Sequence, residues 1–240
     1  MIVDLSDPTR ALTPTLDGPV LSVLAKAGRP LTVGEIAQQA ARGSEIGIRR
    51  CVARLVEQGL VTATQMGRNL VHELNRDHVA APAAALLADL RLELWKRLRE
   101  TLSEWTEKPV HAAVFGSAAR GDGGPDSDID LLLVHQPFPG DETPQVKTPG
   151  WAGFLEALLT ATASSAHRSL LPNTEAWHAS VDALHRSVQR WTGNPLHAVE
   201  LSTWQWFKLS TSDPALDENI RRHGIVVAGT PSPLMVPARA

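Results

Sequence analysis

The spacing of apolar residues divides the chain into stretches of helical and of strand period. Val20, Leu21, Val23 and Leu24 share one side of a short helix that stops near Gly28 and Pro30. The run TVGE then offers Thr32 as an N-cap with Glu35 three residues on, a capping box that opens a second helix to about Ala41. Ser44 caps a third, in which Ile48, Val52, Leu55 and Val56 keep helical spacing until Gly59, a residue suited to the left-handed position after a helix. LVTATQM, the turn GRN and LVHEL follow as the two alternating strands of a hairpin. From about Ala80 to Glu107, the steps between Leu86, Leu87, Leu90, Leu94 and Leu98 predict one long helix, with Trp95 and Trp105 where it packs.

Beyond Pro109 the pattern becomes that of buried strands. VHAAVF, residues 110–115, is an apolar run bounded by Pro109 and Gly116, and DIDLLLV, 128–134, is a second. Period-two alternation puts Asp128 and Asp130 on one face of that strand and Ile129 on the other. NPLHAVELSTW supplies another strand, in which Glu200 shares a face with Ala198 while His197, Val199 and Leu201 lie opposite. Helices are expected over WAGFLEALLTATASS, from Thr174 to just before Gly193, and from Pro214 to His223, with a closing strand from Ile225 to Val227. QPFPGDETPQVKTPG reads as a proline-rich loop and TPSPLMVPARA as a frayed tail.

Composition narrows the function classes. At 240 residues with 43% hydrophobic content the chain suits two ordinary domains. A formal net charge of -3 excludes a strongly basic protein, so any nucleic-acid contact must come from a local patch. The single cysteine, Cys51, excludes an internal disulfide framework and a cysteine-based zinc site, and fits a reducing compartment. The start MIVDLSDPTR lacks the features of a signal peptide, and no run of about 18 apolar residues occurs. A cytoplasmic protein with no membrane partner is the expectation. His178 and His185, seven apart on one helix, have no carboxylate at ligand spacing beside them and are read as ordinary surface or core residues.

Candidate chemistry concentrates in GSAARGDGGPDSDID. A glycine and a serine straight after a buried strand let the backbone turn sharply and aim amides and a hydroxyl at an anion. Two neighbouring carboxylates repel unless a cation lies between them, and Mg²⁺ commonly uses one or two carboxylates plus substrate phosphates. Gly116, Ser117, Arg120 and Gly121, followed by Ser127, Asp128 and Asp130, resemble the nucleotidyltransferase superfamily that includes DNA polymerase beta, and most closely its small bacterial branch. The resemblance runs from about Pro109 to Thr230. It implies a C-terminal domain with a small mixed sheet flanked by helices, and Mg²⁺ or Mn²⁺ held by Asp128, Asp130 and a third carboxylate on a later strand. Glu200 is the only acid there, although the family more often has aspartate. Gly116, Ser117, Arg120 and Ser127 would bind the nucleotide.

The N-terminal elements resemble a winged helix-turn-helix module of the kind found in many bacterial regulators, with Gly67 to Asn69 as the wing tip. Residues 42–68 carry a local excess of three positive charges. Phosphate contacts dominate nucleic-acid affinity, and Arg49, Arg50, Arg54 and Arg68 are placed to make them, although such modules also serve as protein-interaction surfaces.

The whole reads as an α+β protein: a winged helix-turn-helix domain over 1–79, a helical linker over 80–107, a nucleotidyltransferase domain over 108–230 and a tail over 231–240. The expected activity is metal-dependent transfer of a nucleoside monophosphate from an NTP to an acceptor hydroxyl. The acceptor is open among protein, RNA and small molecules. The competing expectation is a DNA-binding regulator, such as a toxin-antitoxin partner, whose nucleotidyltransferase-like domain senses nucleotide without transfer. Homodimerisation stays open, since winged helices on DNA are often dimeric.

Overall fold

The computed structural model describes residues 3–138 and 173–229. The chain divides into two compact units: Met1–Arg97 with Gly121–Ser127 and Thr192–Asn194, and Leu98–Arg120 with Asp128–Trp191 and Pro195–Ala240. The helix expected over WAGFLEALLTATASS, most of the proline-rich loop and the tail lie outside the described residues.

The first unit opens on a short 3₁₀ turn, Pro8–Ala11, that sequence periodicity does not announce. Three helices follow, α1 (Asp17–Lys26), α2 (Val33–Gln39) and α3 (Glu45–Glu57), then the antiparallel hairpin β1 (Val61–Met66) and β2 (Asn69–Leu74). The local signals act as expected. Thr32 and Glu35 form a reciprocal capping box, and Arg29 together with that box holds the Glu35 carboxyl down at about 2. Ser44 accepts from the Gly47 N–H, Gly59 takes φ +76° after α3, and Gly67 takes φ +60° in the two-residue hairpin turn. Leu31 adds a further rung by exchanging backbone hydrogen bonds with His72. Val20, Leu24, Ile36, Ile48, Val52 and Leu55 form the core of this unit, joined by Ala81 and Ala84 of α4 (Ala81–Ala88).

One expectation needs correction here. The single long helix over 80–107 is two helices, α4 and α5 (Leu90–Ser103), interrupted at Asp89, where the backbone leaves the helical region at φ -101° and ψ 5°. The arginines of this unit differ in how they are engaged. Arg42 is committed to Asp7 and to the Thr13 and Thr15 carbonyls, and Arg54 to Asp17. Arg49 pairs with Glu45 at 2.7 Å, while Arg50 and Arg68 are exposed. Cys51 donates to Asp17 as well, and burial with that bond pushes its thiol up to about 12, which fits an inert core residue.

The second unit is built on a four-stranded sheet in the order β5-β4-β3-β6. β3 (His111–Phe115) and β4 (Ile129–His135) are its central strands, antiparallel to each other, and both are almost wholly buried, which explains their unbroken apolar runs. β6 (Ile225–Gly229) pairs antiparallel with β3, and β5 (Leu196–Ser202) pairs parallel with β4. α6 (Gly116–Arg120) follows β3 directly. The helix α7 (Thr174–Thr192) buries Trp177, Val181, Leu184 and Val188 at steps of four and three. After β5 come α8 (Thr203–Phe207), α9 (Leu209–Ser212) and α10 (Pro214–His223), and Leu209 and Ile220 pack with Phe115, Leu132 and Val134 on one face of the sheet. Among the described residues no helix is long and apolar enough to cross a membrane.

Candidate active site

The register of β3 and β4 sets Phe115 opposite Asp130, so the chain leaves β3 beside the carboxylate of the second residue of β4. Asp128 stands one residue ahead of the strand and is exposed, and Asp130 is half-buried. Gly116 turns the chain there at φ +68°. A Cβ on Gly116 would fall on Oδ2 of Asp130 and 3.1 Å from its Cγ, so glycine alone lets that carboxylate lie against the turn. The Gly116 N–H donates to Oδ1 of Asn219 on α10 (3.3 Å), and Asp213 caps that helix by accepting from the Leu216 N–H (3.0 Å). Ser117, half-buried, and Arg120, exposed, follow within α6.

The loop that leads to the aspartates has its own anchor. Asn194, fully buried, donates from Nδ2 to the carbonyls of Pro125 (3.1 Å) and Ser127 (3.0 Å), while its Oδ1 accepts from the Val3 N–H (3.2 Å). The Ser6 N–H donates to the Gly123 carbonyl (3.1 Å) in the same loop. One residue on, the Ile129 N–H donates to the Pro195 carbonyl (2.9 Å) and begins the pairing of β4 with β5. Ser127 is therefore held through its carbonyl directly before Asp128. Neither Asn194 nor Asn219 stands out in the sequence, where one lies in a Gly-Asn-Pro turn and the other on the polar side of a helix.

Residues 93–161 match the nucleotidyltransferase domain family. The matched stretch includes β3, the Gly-Ser turn and the Asp128–Asp130 strand, and it supports nucleotidyl transfer from an NTP in general. No curated protein matches the chain.

The second unit does not set Glu200 beside Asp130, and strand register gives the reason. In the parallel pairing of β4 and β5, His197 lies opposite Asp130 and Glu200 opposite Leu133. Period two then puts Glu200 on the other face of the sheet. Its Oε2 accepts from the indole N–H of Trp177 (2.5 Å), a buried ring that meets Trp105 edge-on with centroids 5.3 Å apart. The side chain that β5 presents to Asp130 is His197, whose Nδ1 is 3.1 Å from Oδ1. A Glu200→Gln variant should therefore keep its rate of label transfer within about threefold of wild type, because the amide oxygen still accepts from Trp177; a metal ligand would cost far more.

Among the described residues no three His, Cys, Asp or Glu side chains converge as a ready-made metal cage. The donors nevertheless suit Mg²⁺ or Mn²⁺ arriving with a nucleotide. Such an ion needs only one or two protein carboxylates, and the space a Gly116 Cβ would fill is taken by one of them.

Proposed function

We propose that the C-terminal unit transfers a nucleoside monophosphate from an NTP to an acceptor hydroxyl. The acceptor oxygen attacks the α-phosphorus, the bond from that phosphorus to the α–β bridging oxygen breaks, pyrophosphate leaves and the hydroxyl proton is released. The observation that carries the reading is the lodging of Asp130 against Gly116, which sets one aspartate of the pair against the Gly-Ser turn. Asp128 and Asp130 hold Mg²⁺ or Mn²⁺, which when bound neutralises charge on the triphosphate. Ser117 and the Gly116 turn bind the β- and γ-phosphates, and Arg120 adds positive charge. Ser127, fixed through Asn194, leads the chain into Asp128.

The test is label transfer from each of the four α-³²P NTPs to a cell lysate, with Mg²⁺ and then Mn²⁺. Label that appears with the protein, and whose sensitivity to nuclease or protease reveals its acceptor, supports the reading. Nucleotide binding without any label supports a second reading, a sensor that binds nucleotide and transfers nothing. The turning away of Glu200 favours that second reading, since it leaves the aspartates without a third carboxylate from β5.

We further propose that the three helices and hairpin of the first unit form a winged helix that contacts DNA through α3 and the hairpin tip. Exposed Arg50 and Arg68 support this, with Arg49 beside them, whereas Arg54 is tied to Asp17. A gel shift with the gene's own upstream DNA at about 100 mM salt should show a complex that an Arg50→Ala, Arg68→Ala double variant weakens roughly tenfold; equal binding by both proteins removes this face from the contact.

A further inference from the structure

We propose that His197 is a metal ligand, so that the ion at this site is held by an imidazole nitrogen from β5 beside the carboxylate oxygens of the aspartates. The inference rests on the transfer reading above and names a protein ligand that joins Asp130 at the same site. Three observations carry it. Strand register sets His197 directly opposite Asp130, on the same face. Its Nδ1 stands 3.1 Å from Oδ1 of Asp130. Two adjacent ligands of an octahedral ion with bonds of about 2.1 Å are separated by about 3 Å, and the hydrogen-bonded pair has that spacing. Of the acids on later elements, Glu200 is engaged with Trp177 and Asp217 with Arg221 at 2.8 Å.

Exposure agrees with the role. The His197 side chain is 64% exposed and that of Asp130 is 25% exposed, so the edge they form is open to an incoming triphosphate. Phosphate oxygens and water would complete the sphere. The other residues that β5 directs to this face are Val199 and Leu201, which offer no donor, so His197 is the one side chain of the strand able to coordinate there. An imidazole nitrogen also shifts preference along the first-row series away from Mg²⁺, which favours oxygen, and toward transition metals.

The experiment loads the full-length protein with Mn²⁺ and inorganic triphosphate, which contains no nitrogen, and records electron spin echo modulation together with the Mn²⁺ dissociation constant. The expected result is a directly coupled nitrogen in the wild type. It should disappear in His197→Gln with roughly tenfold weaker Mn²⁺ binding, and Mn²⁺ should no longer bind in an Asp128→Asn, Asp130→Asn double variant. A His197→Asp variant should restore the affinity without the nitrogen signal, which separates ligation from any loss of folding. Mn²⁺ that binds through the aspartates without a coupled nitrogen, or with one that survives His197→Gln, overturns the assignment of His197 and leaves the transfer reading standing. Failure of the wild type to bind Mn²⁺ with triphosphate overturns both.

Discussion

An Asp130→Asn variant should lose nucleotidyl transfer by about 10³-fold or more, equivalent to about 4 kcal/mol of transition-state stabilisation, while its melting temperature moves by no more than a few degrees. The asymmetry follows from where the side chain sits. Asparagine has the shape of aspartate, so it still fits the space left open by Gly116 and still offers an oxygen to His197. Its packing is preserved, and the lost pairing with an exposed imidazole is worth at most about 1 kcal/mol. The negative charge is what disappears, and with it the means of holding a cation against the triphosphate. Label-transfer rates and thermal melts on one preparation read both quantities. A variant that keeps transfer within tenfold of wild type would show that the reaction takes place elsewhere.

Gly116→Ala should damage both stability and transfer, in contrast to Gly124→Ala a few residues away. At position 116 the backbone is at φ +68°, which costs an L-residue about 1–2 kcal/mol, and the added methyl meets the Asp130 carboxylate. Asp130 must rotate away or the turn must shift, and a displacement near 1 Å in a positioned group costs about 10²-fold in rate. The melting temperature should fall by several degrees and label transfer by about two orders of magnitude. Gly124 has open space where its Cβ would go and no left-handed φ, so alanine there should leave both unchanged. Equal behaviour of the two variants would remove the argument that the turn is shaped around Asp130.

Much of this architecture is legible in the chain because its signals are local. The capping box at Thr32 and Glu35, the cap at Ser44, the glycines at 59 and 67, the helix from Pro214 to His223 and the aspartate pair after a Gly-Ser turn each depend on residues a few positions apart. What escapes such reading depends on partners far away in sequence. Alternation separates His197 from Glu200, but which of the two meets Asp130 is decided by pairing with a strand more than sixty residues earlier. Asn219 acts on Gly116 across 103 positions and Asn194 on Ser127 across 67, and a lone asparagine carries no periodicity to announce either bond. The break at Asp89 is similarly silent, since the leucine spacing continues through it.

β5 is buried at its two ends, by Leu196 and Ser202, and half-buried or exposed between them. A slip of one residue along β4 would carry Glu200 to the face of Asp130 and turn His197 toward Trp177. The burial of Leu196 and Ser202 at the two ends of β5 therefore also fixes which of its polar side chains, His197 or Glu200, stands on the face of Asp130.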